Sequence, residues 1–102
     1  MPSKVERLNQ AIKKALGEIL LKELPDTQPL VVTDFLISSS LQDGRVFLHT
    51  TPAILKRVEE KRPVIQASLK TYVKTRLTPV LTFVIDDNYL EHLDRLFEEI
   101  EK

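Results

Sequence analysis

The chain has 102 residues, 42% of them hydrophobic and 29% charged, which suits one globular domain with a single core and leaves little room for a second. It contains no cysteine, which excludes a disulfide framework, thiolate catalysis and any zinc site built on Cys. The 15 basic residues balance the 15 acidic ones, so net charge argues for no anionic partner, although its distribution does. Residues 54–78 carry seven basic groups against two acidic, a net of +5, and residues 79–102 carry two against seven, a net of −5.

Ser3 followed by Glu6 has the spacing of a capping box and predicts a helix start. Val5, Leu8, Ile12, Leu16, Ile19, Leu20 and Leu24 then recur at three- and four-residue intervals, striping one side of a helix that Pro25 stops. Gly17 inside this stripe either permits close packing or is a tolerated defect costing about 1 kcal/mol relative to Ala. No apolar run is long enough for a signal peptide or a membrane span, and the cytoplasm is the expected compartment.

Leu30 to Ser38 is rich in β-branched and aromatic residues and reads as a strand with apolar groups on both faces. Asp43-Gly44 is a strong hairpin signal, which predicts a two-residue turn and a partner strand from Arg45 to Thr50. Thr51-Pro52 opens a second helix, as an N-cap with proline at the first helical position. Pro63 lacks the N–H an unbroken helix would need, so two helices should meet at a bend near it. The second should turn Ile65, Leu69, Tyr72, Val73 and Leu77 inward and Lys70, Lys74 and Arg76 outward. Val80 to Ile85 is a nearly all-apolar strand expected inside the sheet. Asn88 with Glu91 repeats the capping pattern, and Leu90, Leu93, Phe97 and Ile100 mark a closing amphipathic helix. The expected order is αββααβα, an α+β domain spanning 1–102.

Catalytic chemistry is poorly represented. His49 and His92 lack a metal-ligating partner at helical spacing, and Ser38-Ser39-Ser40 has no nucleophile elbow around it. Asp86-Asp87 offers two carboxylates for Mg²⁺, but acidic groups before a helix also serve its dipole and its free N–H groups. Two glycines, Gly17 and Gly44, cannot build a phosphate loop. No enzyme activity, metal, cofactor or small-molecule substrate is therefore expected. What remains is the cationic run Lys56, Arg57, Lys61, Arg62, Lys70, Lys74 and Arg76 on two joined helices, suited to phosphates, with helix N–H groups near Pro63 as further donors. With Tyr72 assigned to the core, base stacking has no platform there. The competing reading is a solvated face on a small α/β protein-interaction or regulatory module.

Three segments carry a resemblance. They are Glu6-Arg7-Leu8-Asn9 through Lys22-Glu23-Leu24, Val32-Thr33-Asp34 through Leu48, and above all Pro79-Val80-Leu81-Thr82-Phe83-Val84-Ile85-Asp86-Asp87. In this order, over nearly the whole chain, they resemble bacterial ribosome-binding factor A. The resemblance implies a type II KH-like fold, αββααβ plus a terminal helix, with a three-stranded sheet. It implies a non-catalytic, monomeric factor in 30S subunit maturation and rRNA processing, with 16S rRNA and the free 30S subunit as partners and no membrane. It places the family's Ala-x-Gly kink at Ala67-Ser68-Leu69, making Ala67 and Ser68 RNA-facing, whereas the proline argument places the break near Pro63. The acidic C-terminal stretch would be repelled by phosphate and so turn away from the RNA.

Overall fold

The computed structural model describes residues 3–74 and 78–86. Helix α1, Lys4–Glu23, begins where the Ser3 hydroxyl accepts the Glu6 N–H at 3.1 Å. It buries Ile12, Ala15, Leu16, Ile19 and Leu20, while Val5, expected in the stripe, is exposed in the first turn. A Cβ added at Gly17 would meet nothing within 4 Å among the described residues, so packing within them does not demand the glycine.

Strand β1, Leu30–Ile37, pairs antiparallel with β2, Asp43–Thr50, which pairs parallel with β3, Val80–Ile85. The order β1-β2-β3 puts β2 at the centre and corrects the expected position of β3, which is an edge strand. Its alternation agrees, with Leu81 and Phe83 buried beneath the helices and Val80 and Thr82 exposed. A bulge between Val32 and Asp34 accounts for the change of parity among the inward apolar residues of β1, while Val31 and Leu36 are apolar and exposed on the other side. The extra residue shifts the alternation by one, so Leu30 and Val32 share the core side with Phe35 and Ile37.

The predicted turn at Asp43-Gly44 is not where the chain reverses. The connection runs from Ser38 to Gln42, and Asp43 and Gly44 already belong to β2. The Leu41 N–H donates to the Ser38 carbonyl at 3.0 Å, and Leu41 then takes the left-handed conformation, φ 62°. Serine hydroxyls organise the loop: Ser38 Oγ accepts from the Asp43 N–H and Ser40 Oγ from the Gln42 N–H. Gly44 has no positive φ.

Helix α2, Pro52–Glu60, starts where Thr51 Oγ1 accepts the Ile54 N–H, and α3 runs Arg62–Tyr72. The helices break at Lys61, as the proline required, because Pro63 in the first turn of α3 cannot donate back to α2. Ile65 and Leu69 are buried and Val73 half-buried, but Tyr72 is 46% exposed rather than inward. Leu77 and the predicted C-terminal helix lie outside the described residues.

The helices close one core with the inner sheet face, formed by Phe35, Val46, Leu48, Val58, Ile65, Leu69, Leu81 and Phe83 together with the α1 stripe. Both sheet edges are stitched by a side-chain amide or carboxylate, which satisfies backbone groups that an edge leaves unpaired. On β1, Asn9 Oδ1 accepts the Ile37 N–H at 2.9 Å, and Asp34 Oδ1 accepts the Phe35 N–H at 2.8 Å. On β3, Gln66 Oε1 accepts the Leu81 N–H at 2.7 Å while its Nε2 donates to the Pro79 carbonyl at 3.1 Å. Replacing Gln66 by Ala should cost about 1–3 kcal/mol, since it strands a part-buried donor and acceptor. Hydrogen exchange should show faster exchange at the Leu81 amide, and unchanged protection there would refute the role given to Gln66.

Candidate nucleic-acid interface

Lys56 and Arg57 project from α2 and are exposed, and Lys61 is exposed at the break itself. Pro63, Ala67 and Lys70 follow at spacings of four and three, so they share one strip of α3, and all three are exposed. Lys74 continues the run just beyond the end of α3. Ser68 is half-buried, and Arg76 lies outside the described residues. The predicted cations on α2 and α3 thus belong to two consecutive helices, with Lys61 at their junction.

Arg62 departs from the group. It is half-buried, with its guanidinium carbon 5.9 Å from the centre of the Phe83 ring and its Nε buried without a hydrogen-bond partner among the described residues. At this distance the contact is a cation–π pair fixing the first turn of α3 against β3. Arg62→Ala should therefore cost stability, about 0.5–2 kcal/mol in a denaturant titration. It should change the salt dependence of nucleic-acid binding less than Lys61→Ala does, and the reverse ranking would return Arg62 to the phosphate-binding set.

Ala67-Ser68-Leu69 lies within continuous α3 and does not kink. Leu69, at the position the resemblance gives to glycine, is 1% exposed in the core. The structure separates the two sites that the sequence left open, with the break six residues earlier at Lys61, where φ is −89° and ψ 2°. The N-terminus of α3 has no side-chain cap and the exposed Lys61 stands at it, so the helix dipole and the lysine charge both favour an anion there.

Tyr72 is the residue that sequence reasoning misplaced. Its position matches the inward stripe of α3, but it is the last helical residue and stands exposed between Lys70 and Lys74 in sequence. No periodicity argument finds it, because the stripe outlasts the neighbours that bury it. The carboxylate pair considered for metal is engaged at Asp86, whose Oδ2 lies 2.7 Å from the Thr33 hydroxyl. Asp87 is outside the described residues, and among them no group of three His, Asp or Glu side chains is arranged to hold an ion. No described helix is long and apolar enough to cross a membrane.

An αββααβ order in which the central strand pairs antiparallel on one side and parallel on the other, with a helix pair between the parallel strands, defines a KH-like α+β domain. The model of the family described as ribosome-binding factor A matches residues 4–97. The chain belongs to the ribosome-binding factor A family. A curated relative, ribosome-binding factor A of Coprothermobacter proteolyticus, is 29% identical over 111 residues, covering 99% of this chain and 80% of its own length. The crystal structure of ribosome-binding factor A from Thermus thermophilus superposes with a TM-score of 0.72 at 23% identity, over 81% of this chain and 97% of that one. A Thermus thermophilus ribosome binding factor A homology model, fitted into a cryo-EM map of a 30S complex, gives 0.67 at 23% identity over 76% and 90%.

Proposed function

We propose that this protein binds the free 30S ribosomal subunit through 16S rRNA and supports its maturation and rRNA processing as a monomeric, non-catalytic, cytoplasmic factor. The observation that carries this reading is the exposed cationic run on α2 and α3, with Lys56, Arg57, Lys61, Lys70 and Lys74 on phosphates and Ala67 and Ser68 beside them. Family membership supports the particle, and the Thermus relative fitted into a map of a 30S complex supports the same choice. Arg76 joins the set by sequence, while Arg62 serves it indirectly by fixing the helix junction.

Tyr72 adds a component the charges lack. An exposed ring flanked in sequence by two lysines is a platform for one unpaired base, and such stacking is worth about 1–3 kcal/mol. Tyr72→Ala should weaken binding to small subunits about 5- to 150-fold while leaving the salt slope unchanged, because the lysines still meet their phosphates. An altered slope with unaltered affinity at low salt would remove the stacking role.

The primary test is co-sedimentation with free small subunits, large subunits and joined ribosomes at two salt concentrations. Selective, salt-sensitive association with the small subunit is expected. No association with any particle at low salt would overturn the reading in favour of a protein-interaction module.

A further inference from the structure

An open cleft lies away from the cationic helices, between α1 and the beginning of β1. It has a volume of about 800 Å³, and its walls are mostly apolar: Leu20 and Leu21 from α1, Leu24 just past its end, Val31 and Val32 from β1. Leu21 is 70% exposed and Val31 46%, and Gly17 leaves a gap in the helical wall where no Cβ stands. Lys13 and Lys14 stand on its rim, with Glu18 as the single acidic counterpart.

We propose that the C-terminal segment of this same chain, residues 88–101, docks into this cleft as a helix. The segment's apolar residues Leu90, Leu93, Phe97 and Ile100 repeat at three and four, a stripe that needs an apolar surface to bury it. Such a helix of 13 residues after the Asn88 cap is about 20 Å long, and the α1 stretch from Gln10 to its end at Glu23, along which the cleft runs, is also about 20 Å. The place where the described chain ends favours the same site. The Asp86 N–H donates to the Leu48 carbonyl, and Asp86 Oδ2 is held by the Thr33 hydroxyl, next to Val32 in the cleft wall. From there the β1 backbone is two strand spacings away, about 10 Å, a distance covered by the three residue steps from Asp86 to the first helical position after the Asn88 cap when the chain is extended.

Charge agrees with this placement. Residues 87–102 hold six acidic groups against two basic, a net of −4, and the cleft rim is net positive. The cationic face would attract the segment more strongly, yet its exposed apolar groups Pro63, Val64, Ala67 and Tyr72 are interspersed with Lys61, Lys70 and Lys74, whereas the cleft wall is mostly apolar. Docked beside β1, the segment sits at the opposite edge of the sheet from β3 and α2, leaving the cationic helices open to phosphate.

The test uses the full chain, whose lack of cysteine allows a single spin label at Glu98→Cys. Broadening of the amide signals of Gly17, Leu21 and Val31, with those of Glu59, Arg45 and Thr82 spared, is expected. Broadening centred on α2, on Arg45 and Thr82, or on nothing would overturn the proposal. So would broadening that appears only between mixed labelled and unlabelled copies, since the occupant would then be a second molecule. Leu21→Asp in the full chain is the second arm. At 70% exposure in an empty cleft this change should be nearly neutral, whereas under a docked helix it should lower the melting temperature by about 4–8 °C and abolish the broadening. Phe97→Ala should reproduce both effects, and an unchanged melting temperature in both variants would count against docking.

Discussion

Replacing Lys56, Lys61, Lys70 and Lys74 together by Ala should weaken association with small subunits by roughly two to three orders of magnitude at 0.1 M salt. Each cation that neutralises a phosphate releases condensed counterions, so every such cation removed lowers the slope of log affinity against log salt by about 0.7–0.9. Four removals lower it by roughly three, which makes the difference between the proteins largest in dilute salt and small near 1 M. All four side chains are exposed, so each substitution should shift folding stability by no more than about 0.5 kcal/mol. Sedimentation binding across a salt series, paired with a thermal melt, separates the two effects. A slope equal to that of the unaltered protein would show that these lysines form a solvated face and that the subunit is held elsewhere. Arg57→Ala added to the four should lower the slope by one further step of the same size.

Much of the fold is legible in the sequence because its punctuation is local. Ser3 and Thr51 cap, Pro25 and Pro63 interrupt, and each acts through backbone groups within four residues. The features that escaped such reading depend on residues distant in sequence. The bulge near Thr33 is set by pairing with Phe47, the edge position of β3 by its register on β2, and the exposure of Tyr72 by where the covering elements stop. Asn9 and Gln66 look like ordinary helix-surface amides, and only the strand edges beside them give them a role. The candidate interface divides the same way. Its charges are visible as a count along the chain, whereas the withdrawal of Arg62 onto Phe83 and the emergence of Tyr72 require the packed structure.

Gly44 shows what a wrong local reading costs, and it carries the largest expected effect on stability. After Asp43, a glycine reads as a turn residue chosen for positive φ, and at such a site Asn is nearly as good. In the structure Gly44 is a buried strand residue without positive φ, and the far end of the Phe35 ring of the neighbouring strand lies against it. A Cβ built at Gly44 would stand 2.5 Å from Phe35 Cε1 and against Cζ, too close for any side chain. Phe35 is itself 1% exposed in the core, so the ring has no free space into which it can retreat. Gly44→Ala should therefore destabilise the domain by about 1–3 kcal/mol, and Gly44→Val by more. Gly44→Asn should be at least as damaging as Gly44→Ala, the opposite of what a turn predicts. Phe35→Leu removes the ring that the new Cβ would strike, at its own cost in packing. Combined with Gly44→Ala it should lose less than the sum of the two single changes, with a coupling of about 0.5–3 kcal/mol measured by denaturant unfolding. Strict additivity in that cycle, or an Asn variant as stable as the unaltered chain, would place the reversal back at Asp43-Gly44 and shift the register of β2 against both of its neighbours.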